Sequence, residues 1–423
     1  MKNKGFNSNS SYYDVYETED PEKREERLFF KFSDKLRNIC QKALGWRDII
    51  GDIDFASIKT RTDLSKIPIT RKSNLSNIQI KRPLYGSLAI KNEEEFKYCF
   101  SSPGAIYEPG DVGDFWNMSS SLFSAGLRKK QVVYNTFNYH LGPAGIMMGN
   151  AANNLGATVI AGGIGNTDLQ LDTISELKPD FYIGTPSFLK ILLEKAIERK
   201  VDIKSIKNGL VGAEPFPKDL RNLIKNYGVD VLQMYGTAEV GCIAFETKDD
   251  VGAVNEGMIV EENIILEIVR PGTNFALKAG EVGEVVVTKL DTEYPMIRLA
   301  TGDLSCLIEE PSPCGRTNLR IKGWMGRAEQ STKFRGLFIT PRQLQNLKEK
   351  LDKVFKVRLV LTRENLSDHG TLICETENFD KGLEVYIAEK FKSYFKLRVD
   401  VKLTKKNSIK NDGIVIEDLR PIN

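Results

Sequence analysis

The chain has 423 residues, 41% hydrophobic and 28% charged, enough for roughly two or three domains with a sizeable core. Its 60 basic and 57 acidic side chains leave a net charge of +3 with no sustained basic stripe, which argues against a nucleic-acid partner. Two histidines rule out a histidine-rich metal site, and six scattered cysteines without a CxxC pair read as reduced thiols. With no signal-like apolar start and no run of about 18 apolar residues, a cytoplasmic protein without a membrane partner is expected.

Residues 1–25 are polar and read as a flexible N-terminus. Residues 30–43 read as an amphipathic helix. Between residues 131 and 240, short apolar runs alternate with longer helical ones. VVYNTF, ATVIAG, FYIGT, GLVGAE and VDVLQMYG read as strands. GIMMGNAANNLGA, LQLDTISELKPD, FLKILLEKAIERK and PKDLRNLIKNYG read as helices, the second ended by Pro179 and the fourth by Gly228. This alternation predicts layered α/β subdomains with a mostly parallel sheet. After residue 255, NIILEIV, GEVGEVVVTKL and MIRLATGDL predict a smaller β-rich subdomain. The last block runs strand–helix–strand–strand–helix–strand and reads as a small, mobile α+β lid. The expected division is therefore 1–25, a main domain over 26–328, and a lid over 329–423.

Four segments carry chemistry. GAEPFP, at Gly212–Pro217, follows a predicted strand and precedes a helix, where ligands of open α/β sheets bind. Gly212 and Ala213 leave room for a flat base, and Glu214 is able to accept a proton from its exocyclic amine. The same segment also reads as a plain strand-to-helix turn with proline at the helix start. YGTAEVG, at Tyr235–Gly241, closes the next strand with a ring able to stack on a base and with Glu239, a ligand type that Mg2+ prefers. TGD, at Thr301–Asp303, offers a carboxylate for two hydroxyls. GRAEQSTKFRG, at Gly326–Gly336, offers an arginine able to fork onto ribose or phosphate oxygens.

In this order and at these spacings the four segments resemble the adenylate-forming superfamily, and within it the phenylacetate-CoA ligase family. TDLSKIPITRKSNL, at Thr62–Leu75, resembles that family's entry segment, and the likeness extends from about residue 30 to the end. The resemblance implies a carboxylic acid activated by ATP as acyl-AMP and passed to CoA, with Mg2+ as the metal. It places Gly212, Ala213, Glu214 and Pro215 on adenine, with Tyr235 stacking and Gly236 and Thr237 beside it. It makes Glu239 the metal carboxylate and Asp303 the ribose acceptor, and puts Arg327 and Lys333 in the hinge pattern that Gly336 closes. Glu329 stands where the hinge aspartate is usual, and Arg327–Gln330 is the expected hinge. Phe137, Tyr139 and His140 would line the acyl pocket, although the first two also read as core residues of a strand and turn.

The chain departs from the family at identifiable places. The phosphate-cradling loop corresponds to SSPGAIYEPG at Ser101–Gly110. Ser101, Ser102 and Gly104 persist, but the threonines and lysine do not, and Tyr107 and Glu108 sit where positive charge would help. Ala238 replaces the Ser or Thr that precedes the metal carboxylate. Near the C-terminus, aligning Gly413 on the family glycine puts Ile414 at the position of the catalytic lysine. Lys410 is the nearest substitute, completing a catalytic set with Glu239 and Arg327. PSPCGR, at Pro311–Arg316, keeps Cys314 but has Ser312 in place of a zinc cysteine, so with Cys306 and Cys242 no four-ligand set is evident. A ligase with the acid, ATP and CoA as partners is expected, and a homodimer is compatible with it. Competing readings are a non-catalytic nucleotide- or acyl-binding relative and an adenylating enzyme with another acceptor.

Overall fold

The computed structural model describes residues 11–82, 84–102, 106–328, 332–335, 337–364, 367–410 and 414–420. The chain divides into two compact units: one runs to Thr301 and takes in Cys306–Gly323, and the other comprises Gly302–Ser305 and everything from Trp324 onward.

The first unit begins with helices α1 (Pro21–Phe29), α2 (Phe32–Lys42), α3 (Leu44–Ile50) and α4 (Lys72–Lys81), then a hairpin of β1 (Tyr98–Ser102) and β2 (Ile106–Gly110). After α5 (Ser119–Ser124), strands and helices alternate: β3 (Val132–Asn135), α6 (Ala144–Asn154), β4 (Thr158–Ala161), α7 (Thr167–Leu177), β5 (Phe181–Gly184), α8 (Pro186–Arg199), β6 (Asn208–Val211), α9 (Lys218–Asn226) and β7 (Asp230–Thr237). Five antiparallel partners follow or flank them: β8 (Gly241–Phe245), β9 (Met258–Val260), β10 (Ile265–Val269), β11 (Val282–Lys289) and β13 (Arg320–Ile321), with the long β12 (Met296–Ile308) between the last two.

Local chemistry explains these boundaries. Helix α8 opens with Thr185 accepting from the Phe188 amide and Pro186 in the first turn, and it closes on left-handed Lys200. Helix α7 ends at left-handed Lys178, just before Pro179, and α9 is stopped by Gly228 at φ +87°. β5 is buried along its whole length, as expected for a parallel strand covered on both faces.

The sheet runs β10-β11-β12-β13-β9-β8-β7-β6-β5-β3-β4. Strands β3 to β7 pair in parallel, and β7 to β8 turns antiparallel with a register shift between Tyr235 and Gly236. The β-rich part expected after residue 255 therefore continues the α/β part through β8 rather than standing beside it. One core gathers Trp46, Leu36 and Ile58 against the β10–β12 side, with the Trp46 indole donating to Leu88 O at 3.1 Å. A second packs Phe123, Phe181 and Met148 around the parallel strands.

Arg298 is fully buried and left-handed at φ 42°. Its guanidinium forks onto Glu267 at 2.9 Å through two nitrogens and reaches Ile67 O and Asn274. Residues 11–25 are tied down by charge in a way that their polar composition did not announce. Arg24 meets Glu262 at 3.2 Å and donates to Thr317 O at 2.7 Å, and buried Glu17 pairs with Arg316 at 3.1 Å.

The second unit carries a hairpin, β14 (Thr332–Phe334) and β15 (Leu337–Ile339), then α10 (Pro341–Lys348), β16 (Lys356–Glu364), β17 (Ser367–Glu375), α11 (Lys381–Phe395), β18 (Asp400–Thr404) and β19 (Ile416–Asp418). Its four-stranded sheet runs β18-β17-β16-β19, antiparallel only between β16 and β17. The order agrees with the expected α+β block from α10 to β18, whereas KFRGLFIT, expected as one strand, is divided between β14 and β15, and β19 was not foreseen. Helix α10 starts in a capping box, with Thr340 and Gln343 satisfying each other's backbone.

Arg420 ends this unit by joining Asp418, Asp368 and the Thr332 hydroxyl. Its hydrogen bond holds the Asp418 carboxyl down at about 2. A depressed carboxylate stabilises the fold above its ordinary range, and that contribution is lost as pH falls through about 2. Arg420→Gln is expected to cost about 1 kcal/mol at neutral pH, given the partial exposure of Asp418, and to raise the acid-unfolding midpoint of this unit. Amide exchange of β16–β19 across an acid titration reads both, and an unchanged midpoint would refute the assignment.

Candidate nucleotide and metal site

The site in the first unit lies at the carboxyl ends of β6 and β7, where the sheet passes from parallel to antiparallel. After β6 the chain turns through Gly212, where an added Cβ would lie 2.6 Å from Met234 Sδ, and left-handed Ala213 at φ 65°. The Glu214 carboxylate accepts from the Ser187 amide at 3.4 Å, and its carbonyl accepts from Gln233 Nε2 at 2.9 Å. Ala213 and Pro215 are exposed, so the segment presents a small, flat surface pinned at both sides.

Tyr235 is half-buried at the end of β7, its hydroxyl 3.1 Å from Thr301 Oγ1. Gly236 sits at the register shift, and the Thr237 hydroxyl accepts from the Val240 amide at 3.3 Å, holding the turn that carries Glu239. Glu239 is 5% exposed. Lys72, the first residue of α4, places Nζ 2.7 Å from Glu239 Oε1, an ion pair too poorly aligned to be a hydrogen bond. Glu239 Oε2 has no hydrogen-bond partner among the described residues.

The hairpin β1–β2 supplies the next wall. Ser101 pairs with Tyr107 across it, and its amide donates to Leu141 O at 2.9 Å. Ser102 Oγ donates to Glu108 Oε2 at 2.7 Å. The Ser102 hydroxyl, expected to face phosphate, is thus engaged with Glu108, and the Ser101 amide with Leu141, while Gly104 lies outside the described residues. Glu108 is 1% exposed, and burial, followed by the charge of Glu239, pushes its carboxyl up to about 8. The sequence marked Glu108 as adverse to phosphate, and it did not show that this carboxylate is buried and feels the charge of Glu239, or that Lys72 pairs with Glu239. Lys72 lies in the quoted entry segment TRKSNL, which was the only signal for it.

The three residues expected to line an acyl pocket separate. Phe137 is buried in the core with Met147 and Val133. Tyr139 lies against Gly145, where a Cβ would approach its ring to 2.7 Å, and its hydroxyl accepts from Asn135 Nδ2 at 2.9 Å. His140 is exposed.

In the second unit, Asp303 and Arg327 form one cluster. Arg327 Nη1 and Trp324 Nε1 reach the same Asp303 oxygen at 2.8 and 3.0 Å, and the two backbones bridge between residues 303 and 327. Lys333 lies in β14 opposite Phe338. Glu329, Gln330, Gly336 and Gly413 are outside the described residues. Lys410 has an exposed side chain, and its carbonyl accepts from Lys356 Nζ at 2.8 Å and Arg358 Nη2 at 3.1 Å. Arg358 also donates to Ile414 O, so two β16 cations fasten the loop that carries Lys410. Cys314 lies 3.1 Å from Ser312 Oγ, and no set of three or more metal-ligating side chains occurs among the described residues.

Residues 116–290 match the family model described as AMP-binding enzyme. The phenylacetate-coenzyme A ligase of Pseudomonas putida is 30% identical over 81% of this chain and 80% of its own length. The chain belongs to the phenylacetate-CoA ligase family. A further ligase of that name, from Thermus thermophilus, is 29% identical over 76% of this chain and 74% of that one. Among solved structures, an open conformation of 2-hydroxyisobutyryl-CoA ligase in complex with 2-HIB-AMP and CoA superposes with a TM-score of 0.84 at 21% identity, over 98% of this chain and 96% of that one. That likeness shows the shared fold. No helix among the described residues is long and apolar enough to cross a membrane.

The whole β7–β8 turn depends on Gly241, at φ +86°, where an added Cβ would lie 2.1 Å from the Trp116 carbonyl oxygen. Gly241→Ala in this phenylacetate-CoA ligase family member should cost roughly 2–5 kcal/mol, from a left-handed backbone and forced overpacking together. Urea unfolding measures it, and a loss below about 1 kcal/mol would mean that the turn has room to relax.

Proposed function

We propose that this chain is an ATP-dependent acid–CoA ligase acting on an aryl carboxylate, with Glu239 as its metal carboxylate. The observation that carries the reading is a buried carboxylate with an unpartnered oxygen, Glu239, in the turn that follows β7 and its Tyr235, with Glu214 just after neighbouring β6. Tyr235 stacks on adenine, and Gly212 to Pro215 receive its edge. Asp303 in the second unit accepts the ribose hydroxyls, with Arg327 beside it for ribose or phosphate oxygens. Glu239 would hold Mg2+, which when bound would supply positive charge near the pyrophosphate that leaves. A carboxylate oxygen of the acid attacks the α-phosphorus, the bond to pyrophosphate breaks, and acyl-AMP forms. The CoA thiolate then attacks the acyl carbon and AMP leaves. The partners are three small molecules, and the second unit is read as the lid that changes position between the two half-reactions.

Glu239→Gln keeps the shape but weakens a hard-cation ligand. Turnover should fall roughly a hundredfold or more while AMP affinity stays near that of the wild type. Pyrophosphate release and AMP calorimetry measure the two. Unchanged turnover at limiting Mg2+ would transfer the metal to another carboxylate.

The acidic hairpin and Ile414 favour a second reading, a nucleotide-binding relative without ligase activity. Lys410 separates the two. In an active ligase a cation must meet charge developing at the α-phosphate, and Lys410 is our candidate, its backbone held by Lys356 and Arg358. Lys410→Ala should then lower acyl-adenylate formation roughly a hundredfold. Normal adenylation in that variant removes Lys410 from the mechanism. No pyrophosphate release by the wild type over a broad panel of acids, with and without CoA, would favour the binding protein.

A further inference from the structure

Two carboxylates of the first unit, Glu108 and Glu239, are each buried and feel each other's charge, and one ammonium, that of Lys72, pairs with Glu239. Glu108 is 1% exposed and Glu239 5%, whereas the Lys72 side chain is 42% exposed. Burying two carboxylates beside one partly solvated cation is costly when their oxygens lack partners. Here three carboxylate oxygens, Glu108 Oε1 and both of Glu239, lack an aligned hydrogen-bond donor among the described residues. A fourth group points the same way. The Tyr294 hydroxyl is buried without a hydrogen-bond partner among the described residues and feels the charge of both carboxylates. The Gln79 amide next to it is engaged at both ends by the Tyr107 backbone, at 2.7 and 2.9 Å.

We propose that Glu108 is a second protein ligand, alongside Glu239, for the divalent cation, so that the cation binds this chain before nucleotide arrives. The inference rests on the assignment of Glu239 to the metal and extends it to a residue from the phosphate-loop hairpin. The chemistry fits: Mg2+ takes oxygen ligands, commonly one or two carboxylates, and fills its other positions with water and phosphate. Ser102 holds Glu108 by Oε2, which leaves Oε1 to the cation, in the manner of a supporting hydrogen bond that orients a metal ligand. Lys72 is a stand-in for the ion. Its amine sits on Glu239 Oε1 off the hydrogen-bonding direction, and its exposed stem gives it a path to solvent when a metal displaces it. The loop thus exchanges a fixed lysine for an anionic ligand, and brings positive charge to the phosphates as a bound metal.

Mn2+ binding to the full chain without nucleotide, followed by the paramagnetic resonance of free Mn2+ and competed with Mg2+, tests this. Wild type should bind one Mn2+ per chain. Glu108→Gln and Glu239→Gln should each weaken binding roughly 10–100-fold, and Lys72→Met should tighten it. Glu108→Asp, which keeps a carboxylate, should fall between wild type and Glu108→Gln, so the order of affinities stands even if one variant folds poorly. Binding by Glu108→Gln equal to wild type, or no Mn2+ bound by wild type at millimolar concentration, overturns the proposal. Weaker binding in Lys72→Met also counts against it, since a displaced lysine cannot be needed by the ion. An enzyme that binds Mn2+ in this pattern but releases no pyrophosphate would sink the ligase reading and leave this inference intact.

Discussion

The turn from β7 into β8 brings backbone segments into very close approach, and the site depends on it. An added Cβ at Gly236 would lie 2.4 Å from the Gly241 carbonyl oxygen, and one at Gly241 would lie 2.1 Å from that of Trp116. The same Trp116 oxygen accepts the Cys242 amide at 2.9 Å. Only glycine fits two such positions. This closure reverses the sheet from parallel to antiparallel and leaves Tyr235 on one limb of the turn and Glu239 within it. The Thr237 hydroxyl, one position before Ala238, is spent on the Val240 amide. The hydroxyl that precedes Glu239 by two positions therefore serves the turn in this structure.

Buried charge is met in two ways in this protein. Arg298 and Glu267 are both buried and satisfy each other through a two-pronged contact, with Asn274 and the Ile67 carbonyl taking the remaining nitrogen. Such a pair fixes geometry, because removing one partner strands the other in a medium of low polarity. Asp303, with Arg327 and Trp324 converging on one oxygen, is held in the same manner. Glu108 and Glu239 are not satisfied in this way. Their unaligned oxygens mark a place where the protein keeps an unmet need for positive charge, and such needs concentrate at functional sites.

Family membership and the departures from the family pattern are compatible once charge is counted over space instead of along the loop. The hairpin lacks a lysine, while Lys72 at the start of α4 pairs with Glu239. In the second unit, Ile414 stands at the expected lysine position, yet Lys356 and Arg358 of β16 both reach the carbonyl of Lys410. Basic side chains thus come to these loops from neighbouring elements.

The sequence by itself determined the elements and their ends. Apolar runs of strand length, helical runs closed by Pro179 or Gly228, and motifs at successive strand ends are local signals, set by backbone sterics and side-chain period. They located Glu214, Tyr235, Glu239 and Asp303 and indicated the family. Only the tertiary structure decided what those residues meet. That β8 joins the β-rich strands to the parallel ones, that β19 adds beside β16, and that residues 11–25 are held by Arg24 and Glu17 follows from pairing between distant segments. The same holds for the burial of Glu108 and the pairing of Lys72 with Glu239, and for Phe137 turning into the core while His140 faces out. Burial and charge pairing act between parts of the chain that folding brings together, and no local pattern in the sequence records them.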